Sequence, residues 1–113
     1  MADHELVVLS RPPDGVSDDE YSDWYEIHVR EVLALPGFVA AQRLTLQFVS
    51  ATKEPAERFT FFTRYEIDGP FEDAWRELRA AVDGGRMTFS EWFGRVESQG
   101  WRGTPIGTTI RST

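Results

Sequence analysis

The sequence contains no cysteine, and Lys53 is its one lysine. The absence of cysteine excludes disulfides, thiolate zinc sites, iron–sulfur clusters and a cysteine nucleophile. Acidic residues outnumber basic residues by 19 to 12, and the formal net charge is −7. Because nucleic acids and anionic membrane surfaces bind clusters of basic residues, we expect neither as a partner.

Long apolar runs are absent as well, so no segment has the length needed to span a bilayer. The first ten residues, MADHELVVLS, lack the basic and apolar regions of a signal peptide, and we expect a cytoplasmic protein.

His4 and His28 are the only histidines and fall in different predicted elements, so we expect no metal site. No glycine-rich nucleotide-binding motif occurs, and we expect no organic cofactor.

Apolar residues make up 41% of the 113 residues and aromatic residues 13%, which is the composition of a folded globule. The length predicts one domain over residues 1–113. A domain of this size buries about two thirds of the surface of its unfolded chain. One core is therefore possible, whereas a large enclosed active site within a single subunit is not.

Hydrophobic alternation and turn residues predict four extended segments. They cover residues 4–10, 38–50, 58–67 and 98–112. The first is apolar at both alternations and is expected in the middle of a sheet. The polar loop ATKEPAE joins the second and third segments, which predicts a hairpin.

Two helices are predicted between these strands. Ser17 and Glu20 form an S-x-x-E capping box that begins the first helix, and Pro36 stops it. The second helix opens at GPFEDAW, and Gly84 ends it. The segment TFSEWFGRV (88–96) is a candidate for a short third helix.

The order strand, helix, strand, strand, helix, strand predicts an α+β fold. It is typical of the ferredoxin-like βαββαβ sandwich, an antiparallel sheet with helices on one face. The predicted strands are apolar on both sides, so the face without helices would expose an apolar patch. Because twofold dimers are the commonest oligomers, we expect a homodimer that pairs its sheet faces.

His28 lies on the apolar half of the first helix, together with Trp24, Tyr25 and Val32. Burial would lower the pKa of its imidazole and keep it neutral, which suits a general base at pH 7. Tyr25 lies three residues earlier on the same helical face, where its phenol is placed to stabilise an oxyanion. In the alternative interpretation, both are core side chains, with the histidine bonded to a backbone carbonyl or a tyrosine.

The stretch EYSDWYEIHVREVLALPGF, together with TPIG near the end, resembles the EthD-like proteins of the dimeric α+β barrel superfamily. The first helix of those proteins shows a Trp-Tyr pair, a histidine and a Pro-Gly-Phe turn. The matching positions here are Trp24-Tyr25, His28 and Pro36-Gly37-Phe38. The spacing from tyrosine to histidine is one residue shorter than in the usual pattern. Arg30 stands where a proline often follows the histidine.

The resemblance implies a dimeric α+β barrel and a small-molecule function without metal or cofactor. The superfamily includes cofactor-free monooxygenases, cyclases and isomerases, and the sequence does not choose among these or a lyase. We expect acid/base chemistry on an apolar carbonyl or phenolic compound, or on another aromatic ligand. The alternative functions are a non-catalytic small-molecule-binding protein and an accessory homodimer with a filled core.

The residues expected to carry this function form two groups. The catalytic candidates are His28 and Tyr25, and the substrate-binding candidates are Trp24, Val32, Arg43, Phe62 and Arg64. The indole of Trp24 offers a flat surface against which an aromatic ligand can stack. The two arginines are candidates for binding a carboxylate or enolate, and their alternative role is pairing with acidic side chains across the sheet.

Overall fold

The computed structural model describes residues 2–113 and confirms the predicted order of elements. The elements are β1 (His4–Arg11), α1 (Asp18–Leu33), β2 (Phe38–Thr45), β3 (Phe61–Ile67), α2 (Phe71–Asp83) and β4 (Glu97–Gly103). The strands form one four-stranded antiparallel sheet in the order β2-β3-β1-β4. This is the predicted α+β arrangement, with the first strand in the middle of the sheet.

The beginning and end of α1 follow from local chemistry. The Ser17 hydroxyl accepts a hydrogen bond from the backbone N–H of Glu20 at 3.1 Å, which caps the helix as predicted. The Glu20 carboxylate does not complete the capping box, since it accepts a hydrogen bond from Trp92 Nε1 at 3.0 Å instead. After the helix, Gly37 turns the chain at a φ of 92°, a conformation that strains residues with a Cβ.

Several predicted element bounds are wrong, and the fourth strand is Glu97–Gly103 rather than 98–112. Strand β2 ends at Thr45 and β3 begins at Phe61, so residues 46–50 and 58–60 lie outside the strands. One backbone hydrogen bond, from Leu46 N–H to the Thr60 carbonyl at 2.8 Å, continues the pairing past the strand ends. The candidate third helix is a single 3₁₀ turn over Phe93–Arg95, because the chain between 88 and 96 bends to pack its aromatic rings against α1.

The two faces of the sheet have different surroundings. Leu6, Thr63, Tyr65 and Ile67 point toward the helices and are buried. The opposite surface, here called the open face, is not covered by any element of residues 2–113. Its outward side chains include Val7, Leu9, Leu44, Phe62, Arg64 and Trp101. Leu44 is 46% exposed and Trp101 60% exposed, so the expected apolar patch exists.

No helix within residues 2–113 combines the length and apolar character needed to cross a membrane.

Candidate functional site

A cleft of about 380 Å³ lies between the two helices, with the helix side of β1 and β4 as its floor. Helix α1 contributes Tyr21, Trp24, Tyr25, His28 and Val32 to its walls. Helix α2 contributes Trp75, Leu78, Arg79 and Val82, and the segment after it contributes Phe93, Gly94 and Val96. Its floor contains Gly100, whose missing side chain leaves space above the strand. The cleft is large enough for a small aromatic molecule.

His28 lies in this cleft among aromatic rings. Its imidazole stacks on the indole of Trp24, with ring centroids 5.0 Å apart and an angle of 13° between the planes. Tyr25 meets the imidazole edge to face at 5.4 Å. The Nδ1 atom is buried and has no hydrogen-bond partner within residues 2–113. Since a buried polar atom without a partner is costly, this nitrogen is a natural point of attachment for a ligand.

The aromatic surroundings set the charge of the imidazole. Burial lowers the pKa of His28 to about 4, and the Glu31 carboxylate opposes this shift only in part. Glu31 accepts hydrogen bonds from the backbone N–H and hydroxyl of Thr88, at 2.9 and 3.0 Å. His28 is therefore neutral at pH 7.

Two phenols lie in the cleft with the imidazole. Burial raises the pKa of Tyr25 and of Tyr65 above the ordinary value of 10, so both remain protonated hydrogen-bond donors. The Tyr65 hydroxyl is buried and lies next to the Tyr25 hydroxyl. By contrast, the Tyr21 hydroxyl donates to Ser10 Oγ at 2.8 Å. The arrangement therefore combines a neutral base with phenolic donors.

The other predicted binding residues are divided between three places. Trp24 and Val32 line the cleft with His28. Arg43 lies outside the cleft lining, where its guanidinium covers the Tyr25 ring at 5.3 Å from the centroid. It is held there by Glu26, at 3.0 Å from Nη1. Its position supports the tyrosine rather than the ligand space.

Phe62 and Arg64 lie on the open face, which the sheet separates from the cleft. Phe62 pairs with Leu9 and with Leu44 across the neighbouring strands. Arg64 donates to the Gln42 side chain at 3.0 Å. Within one chain, the structure therefore does not bring these two residues together with His28.

The sequence did not identify several cleft residues. Tyr65, Thr63 and Phe61 occupy every second position of β3 and therefore share one face of the sheet. This spacing was the available signal in the sequence. No local sequence pattern distinguishes the cleft walls Trp75 and Phe93 from core side chains. Arg79, on the second helix, carries no motif at all.

Residues 2–113 contain no group of three or more histidine, aspartate or glutamate side chains placed to hold a metal ion.

Comparison with known proteins gives similarity in fold but not in sequence family. No family model matches the chain, and no curated protein matches it. A solved structure of the protein At3g17210 from Arabidopsis thaliana is 13% identical, with a TM-score of 0.69. The alignment covers 95% of this chain and 99% of that one.

A second solved structure comes from Thermobifida fusca and is a dimeric ferredoxin-like protein of unknown function. It is 15% identical with a TM-score of 0.51, and the alignment covers 90% of each chain. At these identities the similarity concerns the fold. The chain has a ferredoxin-like α+β fold, as its order of elements predicted.

Proposed function

We propose that the protein is a homodimeric small-molecule enzyme of the EthD-like, dimeric α+β barrel type. Its 113 residues would form one domain that uses acid/base chemistry without a metal or organic cofactor. One observation carries the proposal: a neutral imidazole, with an unpartnered nitrogen, lies in a cleft beside phenolic donors. The substrate is an apolar carbonyl or phenolic compound.

His28 takes a proton from carbon or oxygen of the substrate, and the substrate becomes an oxyanion. A charged imidazole is unfavourable in the apolar cleft, and the new negative charge compensates it. The phenol of Tyr25 donates a hydrogen bond to the oxyanion, with Tyr65 as a second donor. Isomerisation, cyclisation, elimination and cofactor-free oxygenation all begin with such a proton abstraction.

Proton abstraction is testable before the complete reaction is known. The protein is incubated in D₂O with a panel of aryl ketones and phenols, and deuterium at carbon is measured by NMR. We expect exchange with at least one compound and its loss in His28→Gln. Asp23→Asn is a matched control, because Asp23 is exposed on the same helix, outside the cleft lining. Exchange that survives in His28→Gln, or no exchange in the wild type, would contradict the proposal.

A non-catalytic binding protein is the second candidate, since a cleft with aromatic walls retains a ligand without reacting with it. Calorimetry with the same panel distinguishes the two functions. Binding without deuterium exchange supports the binding protein, and exchange supports the enzyme.

Pairing of the open faces is proposed on the basis of the apolar patch and of the dimeric protein from Thermobifida fusca. Light scattering is expected to give twice the chain mass of 12.9 kDa. Leu44→Glu places a charge on the open face and is expected to yield monomers. Ile27→Glu is the control, because Ile27 is similarly exposed, at 49% against 46%, but lies on α1. A wild-type monomer at micromolar concentration would contradict the pairing.

A further inference from the structure

The charged residues of the cleft are few. Of the side chains that line it in the described part of the chain, Arg79 alone carries a full charge at neutral pH. The nearby carboxylates of Glu20 and Glu31 do not line the cleft and are occupied by Trp92 and Thr88, respectively. A protein with a net charge of −7 thus presents a cation and no anion to the ligand space.

The present contacts of Arg79 are weak enough to be exchanged. Nη2 donates to the Asp83 carboxylate at 3.1 Å, one helical turn away, and both side chains are more than half exposed. Exposed ion pairs of this kind contribute little to stability. The guanidinium has five N–H donors, so this single hydrogen bond leaves donors for a ligand. A carboxylate that accepts two parallel hydrogen bonds is a better partner than this exposed pair.

Aromatic rings line both walls of the cleft. On the α1 side, Trp24 and His28 lie parallel to one another. On the α2 side, Trp75 stacks parallel to Phe71, with ring centroids 6.2 Å apart. Arg79 lies beside that second indole, 5.9 Å from its ring centroid. The base and the cation therefore belong to opposite walls of the cleft.

We propose that the cleft binds planar, apolar carboxylic acids and that Arg79 binds their carboxylate. The inference rests on the proposed function and names the substrate class of the same site: a carbonyl or phenolic compound that also bears a carboxylate. Arginine is suited to this role because its planar guanidinium matches the two oxygens of a carboxylate. Arg79 thereby determines specificity, while His28 performs the chemistry.

The test uses two probes that differ in charge but share the ring system, 2-naphthoate and 2-naphthamide, at pH 7.5. Dissociation constants are measured by calorimetry, and the NMR signals of the His28 ring report occupation of the cleft. We expect wild-type protein to bind the naphthoate about fivefold more tightly than the amide. Arg79→Gln is expected to remove this preference and to leave the affinity for the amide unchanged.

Arg76→Gln is the matched control. Arg76 lies on the same helix, forms a similar exposed pair with Asp73 at 3.3 Å and does not line the cleft. A preference lost equally in both variants would reflect the general surface field and overturn the assignment of Arg79. Equal binding of the two probes by the wild type, with a shift of the His28 signals, overturns the carboxylate inference but leaves the proposed function standing. No binding of either probe at millimolar concentration overturns both.

Discussion

The low pKa of His28 predicts a specific dependence of stability on pH. In the unfolded chain the imidazole has its ordinary pKa of about 6.5, whereas burial lowers the value in the folded protein to about 4. Between these values the unfolded state binds more protons than the folded state. The free energy of unfolding therefore falls as the pH decreases from 6.5 toward 4. The contribution of the neutral imidazole to stability is fully present above pH 6.5.

The magnitude follows from the two pKa values. Proton linkage between pH 7.5 and 4.5 gives a loss of about 2–3 kcal/mol from this one group, since a tenfold difference in proton affinity between the two states corresponds to about 1.4 kcal/mol. The other ionisable groups of the protein also respond to pH, so the wild type must be compared with His28→Gln. Their contributions are shared by both proteins and cancel in the difference.

The assay is urea unfolding at several pH values and one fixed protein concentration, because the proposed dimerisation would make stability depend on concentration. The wild type is expected to lose about 2–3 kcal/mol more than His28→Gln between pH 7.5 and 4.5. A difference that stays constant within about 0.5 kcal/mol would refute the burial of a neutral imidazole. Titration of the His28 ring by NMR checks the same quantity directly.

Three further predictions concern packing within the fold. Gly100→Leu places a side chain in the cleft, where a Cβ meets only Leu6 at 3.9 Å, so thermal stability is expected to be retained. The affinity for 2-naphthoate, measured by calorimetry, is expected to fall about tenfold. Tyr21→Phe leaves Ser10 Oγ without its donor and is expected to lower the unfolding free energy by about 1–2 kcal/mol in urea. Gly37→Ala combines a φ of 92° with a contact of 3.1 Å to Ala74 and is expected to cost about 1–2 kcal/mol in the same assay. An unchanged value in any of the three would contradict the corresponding contact.

The same low pKa predicts how the proposed activity responds to pH. For a base that is essential in the free enzyme, kcat/KM is expected to rise through about pH 4 and to be flat above about pH 6. The deuterium-exchange rate measured from pH 3.5 to 8 checks this. A midpoint near 6.5 would indicate that the imidazole is solvated in the working enzyme.

Local sequence signals predicted the elements that begin and end with specific chemistry. The Ser17 hydroxyl, three residues before Glu20, caps α1 because an N-cap needs only neighbouring residues. Pro36 stops the same helix for an equally local reason. The strand ends near Thr45 and Phe61 were predicted less well, because pairing stops where the partner strand diverges, and that depends on the hairpin as a whole.

The candidate site was predicted in part, for the same reason. Spacing along one helix placed Trp24, Tyr25, His28 and Val32 on a shared face, and the cleft contains all four. It did not reveal Arg79 or Tyr65, which come from other elements and meet His28 only after the chain has folded.

By itself the sequence determined the order of elements, the apolar face of α1 and the neutrality expected of a buried His28. Only the tertiary structure decided which face of the sheet the helices cover. Alternation along a strand shows that Phe62 and Arg64 share one side and Tyr65 the other, but both sides are apolar enough to be a core. The crossover connections and the packing of two helices make that choice, and with it they separate the cleft from the open face.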